Sequence, residues 1–402
     1  MFILTVARWF AGLASAAILA GAAYLLWTWR QGEWVRDPAG ELWRLREDWR
    51  LWTGLLLLAW SFVGRWIVPL LLTKGGGRRS RPLRSQGAIQ QGASGSSLYV
   101  ERHGPVGAPY IVFTHGWGMD CTFWDYARQD LSERFQVVRW DLPGLGRSRA
   151  PGGKVSLSNF AADLLGLIAT LDRPAVLVGH SIGGMTIQTL LRDHPSSLER
   201  VAGVVLLNTT YTNPLKTMVF HRLLLGIQKP VLEPLMKLTV LLHPVVWLSK
   251  WQSYLSGSTH AAMRLGFGRF VTRSQLEHVA LLATRAPPAI EARGDLAMVH
   301  WDATGVLEHS QTPALVVGGD LDIVTKLEAS EQLARASAAR LMVIEGVNHM
   351  GPLEQADRYN QAISAFALSV QPGQGVGHPP APMEVGQAPG SPSVAKRPVT
   401  HP

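Results

Sequence analysis

Two long stretches of apolar residues dominate the first 73 positions of the chain. Residues 9–29 carry no charged side chain, and residues 51–73 carry one, Arg65. About 20 apolar residues in a helix cross the roughly 30 Å hydrocarbon core of a bilayer. The pattern therefore predicts an N-terminal membrane anchor, 1–73, with two hydrophobic helices. For the second helix an interfacial position is the alternative, because a mid-membrane arginine costs about 2.5–3.5 kcal/mol.

The first stretch has a second interpretation as a signal peptide. No basic segment precedes it, and it is longer than the usual hydrophobic region of a signal peptide. The sequence therefore favours an uncleaved anchor.

After residue 95 the pattern changes to short runs of β-forming residues that alternate with helical spacing of apolar positions. The predicted strands are 97–102, 110–114, 135–140, 175–178, 201–207, 314–317 and 340–344. The predicted helices are 122–131, 157–171, 185–191, 325–336 and 353–368. This alternation predicts an α/β fold with a parallel sheet covered by helices on both faces.

Three segments depart from the alternation. Residues 74–95 are rich in Gly, Ser and Arg and predict a basic flexible linker before an α/β domain at 96–370. Residues 209–300 are long, apolar and helical in pattern, and predict a lid. The lid is either an ordinary cap whose apolar side faces the core or one that also touches lipid. Residues 371–402 are rich in Pro and Gly and predict a disordered tail.

Composition and charge point to a membrane. Lys and Arg outnumber Asp and Glu by 38 to 29, but the excess lies beside apolar segments, which favours a membrane surface over nucleic acid. Nine of the 15 tryptophans lie in the first 73 residues, and membrane interfaces are enriched in tryptophan. The basic run at 74–84 predicts that both ends of the anchor, and the following domain, face the cytoplasm.

The residues that commonly ligate metals give no pattern for a metal site. Cys121 is the single cysteine, so neither an intrachain disulfide nor a cysteine-based metal cluster can form. The histidines lack the spacing of zinc ligands. We therefore predict no metal and no cofactor.

The candidate nucleophile is Ser181, in Gly179-His180-Ser181-Ile182-Gly183. This G-x-S-x-G pattern stands between a predicted strand and a predicted helix, which is the context of a nucleophile elbow. Glycine is needed there because the backbones of the turn crowd one another. The alternative is that Ser181 only caps a helix.

The partners that a catalytic serine needs follow two later strands. Asp322 comes after the strand at 314–317, and His349 comes after the strand at 340–344. The order nucleophile, acid, histidine is the one expected with this elbow. Asp320 is the alternative acid.

The remaining polar residues near predicted strand ends have other expected roles. The backbone N–H groups of Ile182 and Trp117 are the predicted donors to an oxyanion. His115 and His180 are expected to hold loops, and Asp141 to fix a glycine-rich turn.

Taken together, these motifs resemble the α/β-hydrolase superfamily. The resemblance rests on His115-Gly116-Trp117-Gly118, Asp141-x-x-Gly144-x-Gly146-x-Ser148, the elbow, Gly319-Asp320-x-Asp322 and Asn348-His349. Within the superfamily the chain is similar to the lipase/esterase branch, including membrane-anchored monoacylglycerol-lipase-like enzymes. The resemblance implies an eight-stranded, mostly parallel sheet, a helical lid after the sixth strand and no cofactor. It also implies Ser181 as nucleophile, Asp322 as acid, His349 as base, and Trp117 and Ile182 as oxyanion donors.

Two features depart from the resemblance: the chain has two hydrophobic segments, and its lid has no motif that fixes a substrate. A serine in the elbow, where dehalogenases and epoxide hydrolases have aspartate, argues against those branches.

The sequence thus predicts a membrane-anchored serine hydrolase that cleaves carboxylic esters with apolar acyl chains. The predicted partners are a small-molecule or lipid ester and membrane lipid, without nucleic acid. Two alternatives use the same fold. One is C–C bond hydrolysis or cofactor-free haloperoxidase/perhydrolase chemistry with the same triad, and the other is a catalytically silent membrane scaffold.

Overall fold

The chain begins with two long antiparallel helices, α1 (Phe2–Gln31) and α2 (Asp48–Leu72). A two-stranded antiparallel ribbon joins them, β1 (Glu33–Arg36) and β2 (Leu42–Leu45). Both helices are long and apolar enough to cross a membrane. The first contains the predicted span 9–29, and the second begins before the predicted span 51–73 and ends one residue short of it.

The structure is a computed structural model that describes residues 2–337 and 339–371. The predicted disordered tail, 371–402, lies outside the described residues except for Gln371.

An eight-stranded sheet follows the anchor helices, and its strands alternate with helices as predicted. Its strands are β3 (Ala88–Gln91), β4 (Ser97–His103), β5 (Tyr110–Thr114), β6 (Gln136–Trp140), β7 (Ala175–His180), β8 (Val201–Leu207), β9 (Ala314–Gly319) and β10 (Arg340–Ile344). Their spatial order is β10-β9-β8-β7-β5-β6-β4-β3. The strands from β5 to β10 are parallel, β4 pairs antiparallel with β6, and β3 pairs antiparallel with β4. The predicted fold class, an α/β fold with a mostly parallel eight-stranded sheet, is confirmed.

Helices cover both faces of the sheet. They are α3 (Asp125–Leu131), α4 (Leu157–Ala169), α5 (Ile182–Asp193), α13 (Leu327–Ser337), α14 (Gly351–Glu354) and α15 (Ala356–Val370). Successive side chains of a strand point to opposite faces. In β5, Val112 therefore belongs to the core shared with α4 and α5, whereas Ile111 and Phe113 belong to the core shared with α3 and α15.

The predicted lid is a group of seven helices inserted between β8 and β9, after the sixth strand of the sheet. The cap helices are α6 (Pro214–Thr217), α7 (His221–Ile227), α8 (Glu233–Leu241), α9 (His243–Leu255), α10 (Ser258–Arg264), α11 (Arg273–Arg285) and α12 (Pro288–Val299). The anchor packs on this cap, because α1 and α2 both contact α9 and α10. At one crossing, a Cβ on Gly64 would lie 2.0 Å from the Ser256 carbonyl oxygen, so only glycine allows the approach.

The segment 74–95 differs from the predicted free linker. It contributes β3, which pairs with β4 at the edge of the sheet. Arg78 forms an ion pair with Asp130, and Arg84 lies between Asp120 and Asp141. Two of the basic residues that predicted a flexible linker therefore pair with carboxylates of the α/β domain.

Candidate active site

The elbow around Ser181 joins β7 to α5 in a strained turn. Ser181 has a φ of 54°, a left-handed conformation that non-glycine residues rarely adopt. Its N–H donates to the Leu207 carbonyl oxygen. A Cβ on Gly183 would lie 2.3 Å from the Thr114 carbonyl oxygen, and a Cβ on Gly179 would meet the Gly183 backbone. The glycines of the motif are therefore set by close backbone contact, as the sequence predicted.

A continuous chain of hydrogen bonds connects three of the predicted residues. His349 Nε2 lies 3.0 Å from Ser181 Oγ, and His349 Nδ1 lies 3.0 Å from Asp322 Oδ2. All three side chains are buried. When His349 Nδ1–H donates to the Asp322 carboxylate, the ring presents its Nε2 lone pair to the serine hydroxyl, which is the arrangement of a nucleophile and its general base.

The sequence did not predict the groups that hold Asp322. Its carboxylate accepts hydrogen bonds from Asn208 Nδ2 at 3.0 Å, from the Thr325 hydroxyl at 2.9 Å and from two backbone N–H groups. Tyr359 donates to Asn208 Oδ1 in turn. Asn208 directly follows β8 and has a φ of 45°, a conformation in which Asn is enriched. An Asn directly after a predicted strand is the pattern that could have revealed it.

Burial and neighbouring charges act in opposite directions on the pKa values of Asp322 and His349. Burial alone would raise the pKa of Asp322, but His349 and the donated hydrogen bonds lower it to about 2. Burial lowers the pKa of His349 below its ordinary 6.5, and Asp322 opposes this only in part. At neutral pH the carboxylate is therefore charged and the imidazole is a neutral base.

The pKa of His349 predicts the acid limb of the activity profile. Because protonated His349 cannot accept the serine proton, kcat/KM should fall as pH drops through the pKa of the free enzyme's base. We expect an apparent pKa below 6.5, measured from kcat/KM for a soluble ester between pH 4 and 9. An acid limb centred at or above 6.5 would contradict the burial argument.

The predicted oxyanion donors lie on either side of the serine. Ile182 begins α5 directly after Ser181, and Trp117 lies in the loop after β5. Neither the Ile182 N–H nor the Trp117 N–H donates a hydrogen bond within the part of the chain that the structure describes. These two groups are therefore free to receive a negatively charged oxygen.

The Trp117 loop is held in place by the cap. The indole Nε1 of Trp117 donates to the Glu291 carbonyl oxygen of α12 at 3.2 Å. The ring also covers Gly294, where a Cβ would lie 1.9 Å from a ring carbon.

Replacing Gly294 by alanine should therefore displace Trp117 and the loop that bears its N–H. We expect a loss of about 1–3 kcal/mol in the free energy of unfolding, as for overpacked cores, together with a lower kcat. The matched control is Gly226→Ala in cap helix α7, where a Cβ meets nothing within 4 Å and should stabilise the helix by about 0.5–1 kcal/mol. Chemical denaturation and ester hydrolysis measure both. Equal behaviour of the two variants would argue against the Trp117 contact.

The other histidines occupy positions that hold loops. His115 accepts from the Leu142 N–H through Nε2 and donates to the Gly116 carbonyl through Nδ1, so it ties the loops after β5 and β6 together. His180 Nε2 donates to the His349 carbonyl oxygen at 2.8 Å, and burial lowers the pKa of His180 to about 3. Neither ring lies between Ser181 and Asp322.

The two remaining acids differ from Asp322 in what they contact. Asp320 Oδ1 accepts from the backbone N–H groups of Gly346 and Val347, so it holds the loop before His349. Asp141 accepts from the Arg147 N–H in the glycine-rich turn. Asp120, Cys121 and Asp141 lie close enough together to suggest a cation site. The Arg84 guanidinium already bridges both carboxylates, at 2.6 and 2.8 Å, and supplies the positive charge.

Comparison with known sequences decides the family. The profile described as "Alpha/beta hydrolase family" matches residues 111–362, which include the elbow, Asp322 and His349. The chain belongs to the alpha/beta hydrolase family. The predicted resemblance to this superfamily, and to its esterase branch, is confirmed.

Relatives of this hydrolase include esterases. A bifunctional esterase/perhydrolase from Acinetobacter calcoaceticus is 27% identical over 283 residues, covering 68% of this chain and 97% of the relative. A pimeloyl-[acyl-carrier protein] methyl ester esterase from Yersinia enterocolitica is 27% identical and covers 67% of this chain and 89% of the relative. A thermophilic esterase structure from Thermogutta terrifontis superposes with a TM-score of 0.52 at 25% identity, covering 71% of this chain and 99% of that one.

Proposed function

We propose that this hydrolase is a membrane-anchored serine esterase that cleaves lipid-like carboxylic esters through an acyl-enzyme intermediate. The observation that carries the proposal is the hydrogen-bonded chain from Asp322 through His349 to Ser181 at the elbow. The esterase relatives support ester hydrolysis as a reaction class. Because their identity to this chain is low, the substrate is argued from the residues of this chain.

The proposed reaction has two halves. His349 Nε2 takes the Ser181 proton as Oγ attacks the ester carbonyl carbon, and the N–H groups of Trp117 and Ile182 stabilise the oxyanion. The intermediate collapses, His349 protonates the departing alcohol, and the acyl group stays on Ser181. Water then attacks the acyl group, activated by the same base, and the carboxylic acid leaves. Asp322 keeps the ring oriented and stabilises its charged form.

The apolar surface of the cap supports a lipid-like substrate. The exposed apolar residues of helices α7 to α9 include Leu223, Leu238, Leu241, Val245 and Leu248. Ser181 is only 3% exposed, so the nucleophile lies below the surface of the domain. Large exposed apolar patches mark membrane or ligand contacts, and a bilayer would cover this one.

The length of the free anchor also supports contact between cap and bilayer. The last hydrogen bond from α1 to the cap joins Ser15 to Ser256. The rest of α1, residues 16–31, is about 24 Å long, which is shorter than the roughly 30 Å hydrocarbon core. A spanning hairpin therefore brings the apolar surface of the cap into the edge of the bilayer. Since α1 starts and α2 ends on the cap, both ends lie on one side, and the basic run 74–84 favours the cytoplasmic side.

A series of esters tests the proposed substrate class. We expect detergent-solubilised enzyme to hydrolyse p-nitrophenyl and glyceryl esters with kcat/KM rising from acetate to longer acyl chains. A fluorophosphonate probe should label Ser181, identified by peptide mass spectrometry. Activity confined to acetate would contradict the lipid-like substrate, and folded protein without Ser181 labelling would overturn the serine esterase.

Perhydrolysis is the second candidate, favoured by the esterase/perhydrolase relative. Here hydrogen peroxide replaces water in attacking the acyl-enzyme, and a peroxycarboxylic acid leaves. Peracid formation from a carboxylic acid and hydrogen peroxide, at a rate comparable to ester hydrolysis, would favour this reaction.

A further inference from the structure

A cavity of about 330 Å³ lies between anchor helix α1 and cap helices α8, α9 and α12. Trp9, Leu235, Val246 and Ala292 contribute to its mostly apolar wall. Its volume lies at the lower end of the 300–1,000 Å³ range of ligand pockets. Leu13, Leu242 and Val245 line it and are also exposed, so one side of the cavity opens on the surface that a bilayer would cover.

The opposite end of the cavity carries four charged side chains. Arg8 Nη1 lies 2.9 Å from Glu291 Oε1, and Lys250 pairs with the other oxygen of Glu291. Asp295 accepts a long hydrogen bond of 3.4 Å from the Thr5 hydroxyl. Asp295 is 1% exposed, and the four side chains form the only charged part of the lining.

Two polar atoms of this charged end have no hydrogen-bond partner among the described residues. They are Nε of Arg8, which is a donor, and Oδ1 of Asp295. A buried polar group without a partner costs about 1–3 kcal/mol. An unmet donor and an unmet carboxyl oxygen at the inner end of an apolar cavity therefore point to a ligand with a polar head and an apolar body.

The charges indicate which head fits. Burial, together with the neighbouring Glu291, raises the pKa of Asp295 to about 7, although Arg8 and Thr5 oppose this shift. Burial also lowers the pKa of Lys250 to about 8, although Glu291 opposes this shift. When Asp295 and Lys250 both hold their protons, two cations face one carboxylate, Glu291, and the cluster has a charge of +1. A carboxylate head restores neutrality, accepts from Arg8 Nε–H and accepts from the Asp295 hydroxyl. An alcohol head would leave the excess positive charge in place.

We propose that this pocket binds a single-chain fatty acid, with its carboxylate between Arg8 and Asp295 and its chain directed toward the membrane side. Neither Ser181 nor His349 lines the cavity, so the site is separate from the candidate active site. The inference does not require the proposed hydrolysis, although a fatty acid is also the acid that such hydrolysis would release.

The site is in contact with the predicted oxyanion loop. The side chain of Glu291 pairs with both Arg8 and Lys250. Its backbone carbonyl oxygen also accepts a hydrogen bond from the indole N–H of Trp117. Its side-chain Oε1 lies 2.8 Å from the position of a Cβ on Gly118. A ligand that changes how Arg8 and Lys250 share Glu291 therefore acts on the loop that bears the Trp117 N–H.

Photolabelling of the full chain tests the proposal without reference to catalysis. A diazirine analogue of hexadecanoic acid is added to the Ser181→Ala variant in detergent, so that no acyl-enzyme can form, and labelled peptides are identified by mass spectrometry. We expect labels within residues 235–250. Unlabelled hexadecanoic acid should compete at a concentration at least tenfold lower than hexadecan-1-ol.

Two matched variants of helix α8 separate the pocket from general lipid contact. Thr239→Phe fills the cavity and should reduce labelling at least tenfold, whereas Leu241→Phe, on the exposed side of the same helix, should leave it unchanged. Arg8→Met should remove the preference for acid over alcohol. Equal competition by acid and alcohol, or equal labelling of the two α8 variants, would overturn the proposal. Ester hydrolysis by the wild-type enzyme is measured separately. Failure of the fatty-acid site therefore does not refute the esterase activity, and failure of the esterase activity does not refute the fatty-acid site.

Discussion

Replacing Ser181 by alanine should lower kcat for ester hydrolysis by about 10⁶-fold. Removing the nucleophile of a Ser-His-Asp triad has an effect of this size, because the remaining residues cannot form the acyl-enzyme. The oxyanion donors and the binding site remain, so a residual acceleration of about 10³–10⁴ over water should persist. Initial rates with a p-nitrophenyl ester measure the loss.

The stability of this variant should not change much. Alanine and serine both tolerate the 54° φ of the elbow poorly, so the strain is the same before and after the substitution. Ser158→Ala, at a serine that bonds Asp193 near the surface, is the control and should retain full activity. A loss of less than tenfold for Ser181→Ala, in a variant that melts at the wild-type temperature, would refute the proposed nucleophile.

Asp322→Asn should lower kcat by about 10⁴-fold. The amide can still accept from Thr325, but it carries no charge and can donate to His349 Nδ1, which moves the ring proton to Nε2. His349 then has no lone pair for the Ser181 hydroxyl. The measurement is kcat across pH 6–10 with one soluble ester.

The neighbouring acid provides a matched control. Asp320→Asn keeps an oxygen for the N–H groups of Gly346 and Val347 and removes a charge that does not touch His349. We expect at most about a tenfold effect on kcat. If Asp320→Asn cost more than Asp322→Asn, the assignment of the acid would have to be exchanged.

The sheet was predictable because each of its inner strands is a short, strongly apolar run bounded by turn residues. The three strands that sequence analysis missed, β1, β2 and β3, lack this pattern. β3 has the sequence Ala88-Ile89-Gln90-Gln91, with a single bulky apolar residue, and it forms the edge of the sheet because it pairs with β4. β1 and β2 carry exposed tryptophans and arginines and pair only with each other. Such strands form because they pair with a neighbouring strand, and their own sequence lacks the periodic apolar pattern of a strand.

The three residues of the triad were predictable from their order along the chain. Ser181, Asp322 and His349 each follow a strand, and parallel strands end at one edge of a sheet, so order alone predicts that they meet. Asn208, Thr325 and Tyr359 were missed because their side-chain contacts join residues 114 and 151 positions apart, or lie within one turn. A local pattern can show that Asn208 follows a strand, but it does not show which side chain it meets. The catalytic roles of the predicted residues remain predictions until the variants are measured.

The contact between Arg8 and Glu291 bears on any N-terminal truncation of the protein. A soluble version that starts after residue 73 would follow the predicted boundary between anchor and α/β domain. It would also delete Arg8 and Thr5, and so remove the hydroxyl that donates to Asp295 and one of the two cations that pair with Glu291 among the described residues. Removing one partner of a buried ion pair typically costs 3–5 kcal/mol. Full-length protein in detergent or nanodiscs is therefore the form in which to assay this enzyme.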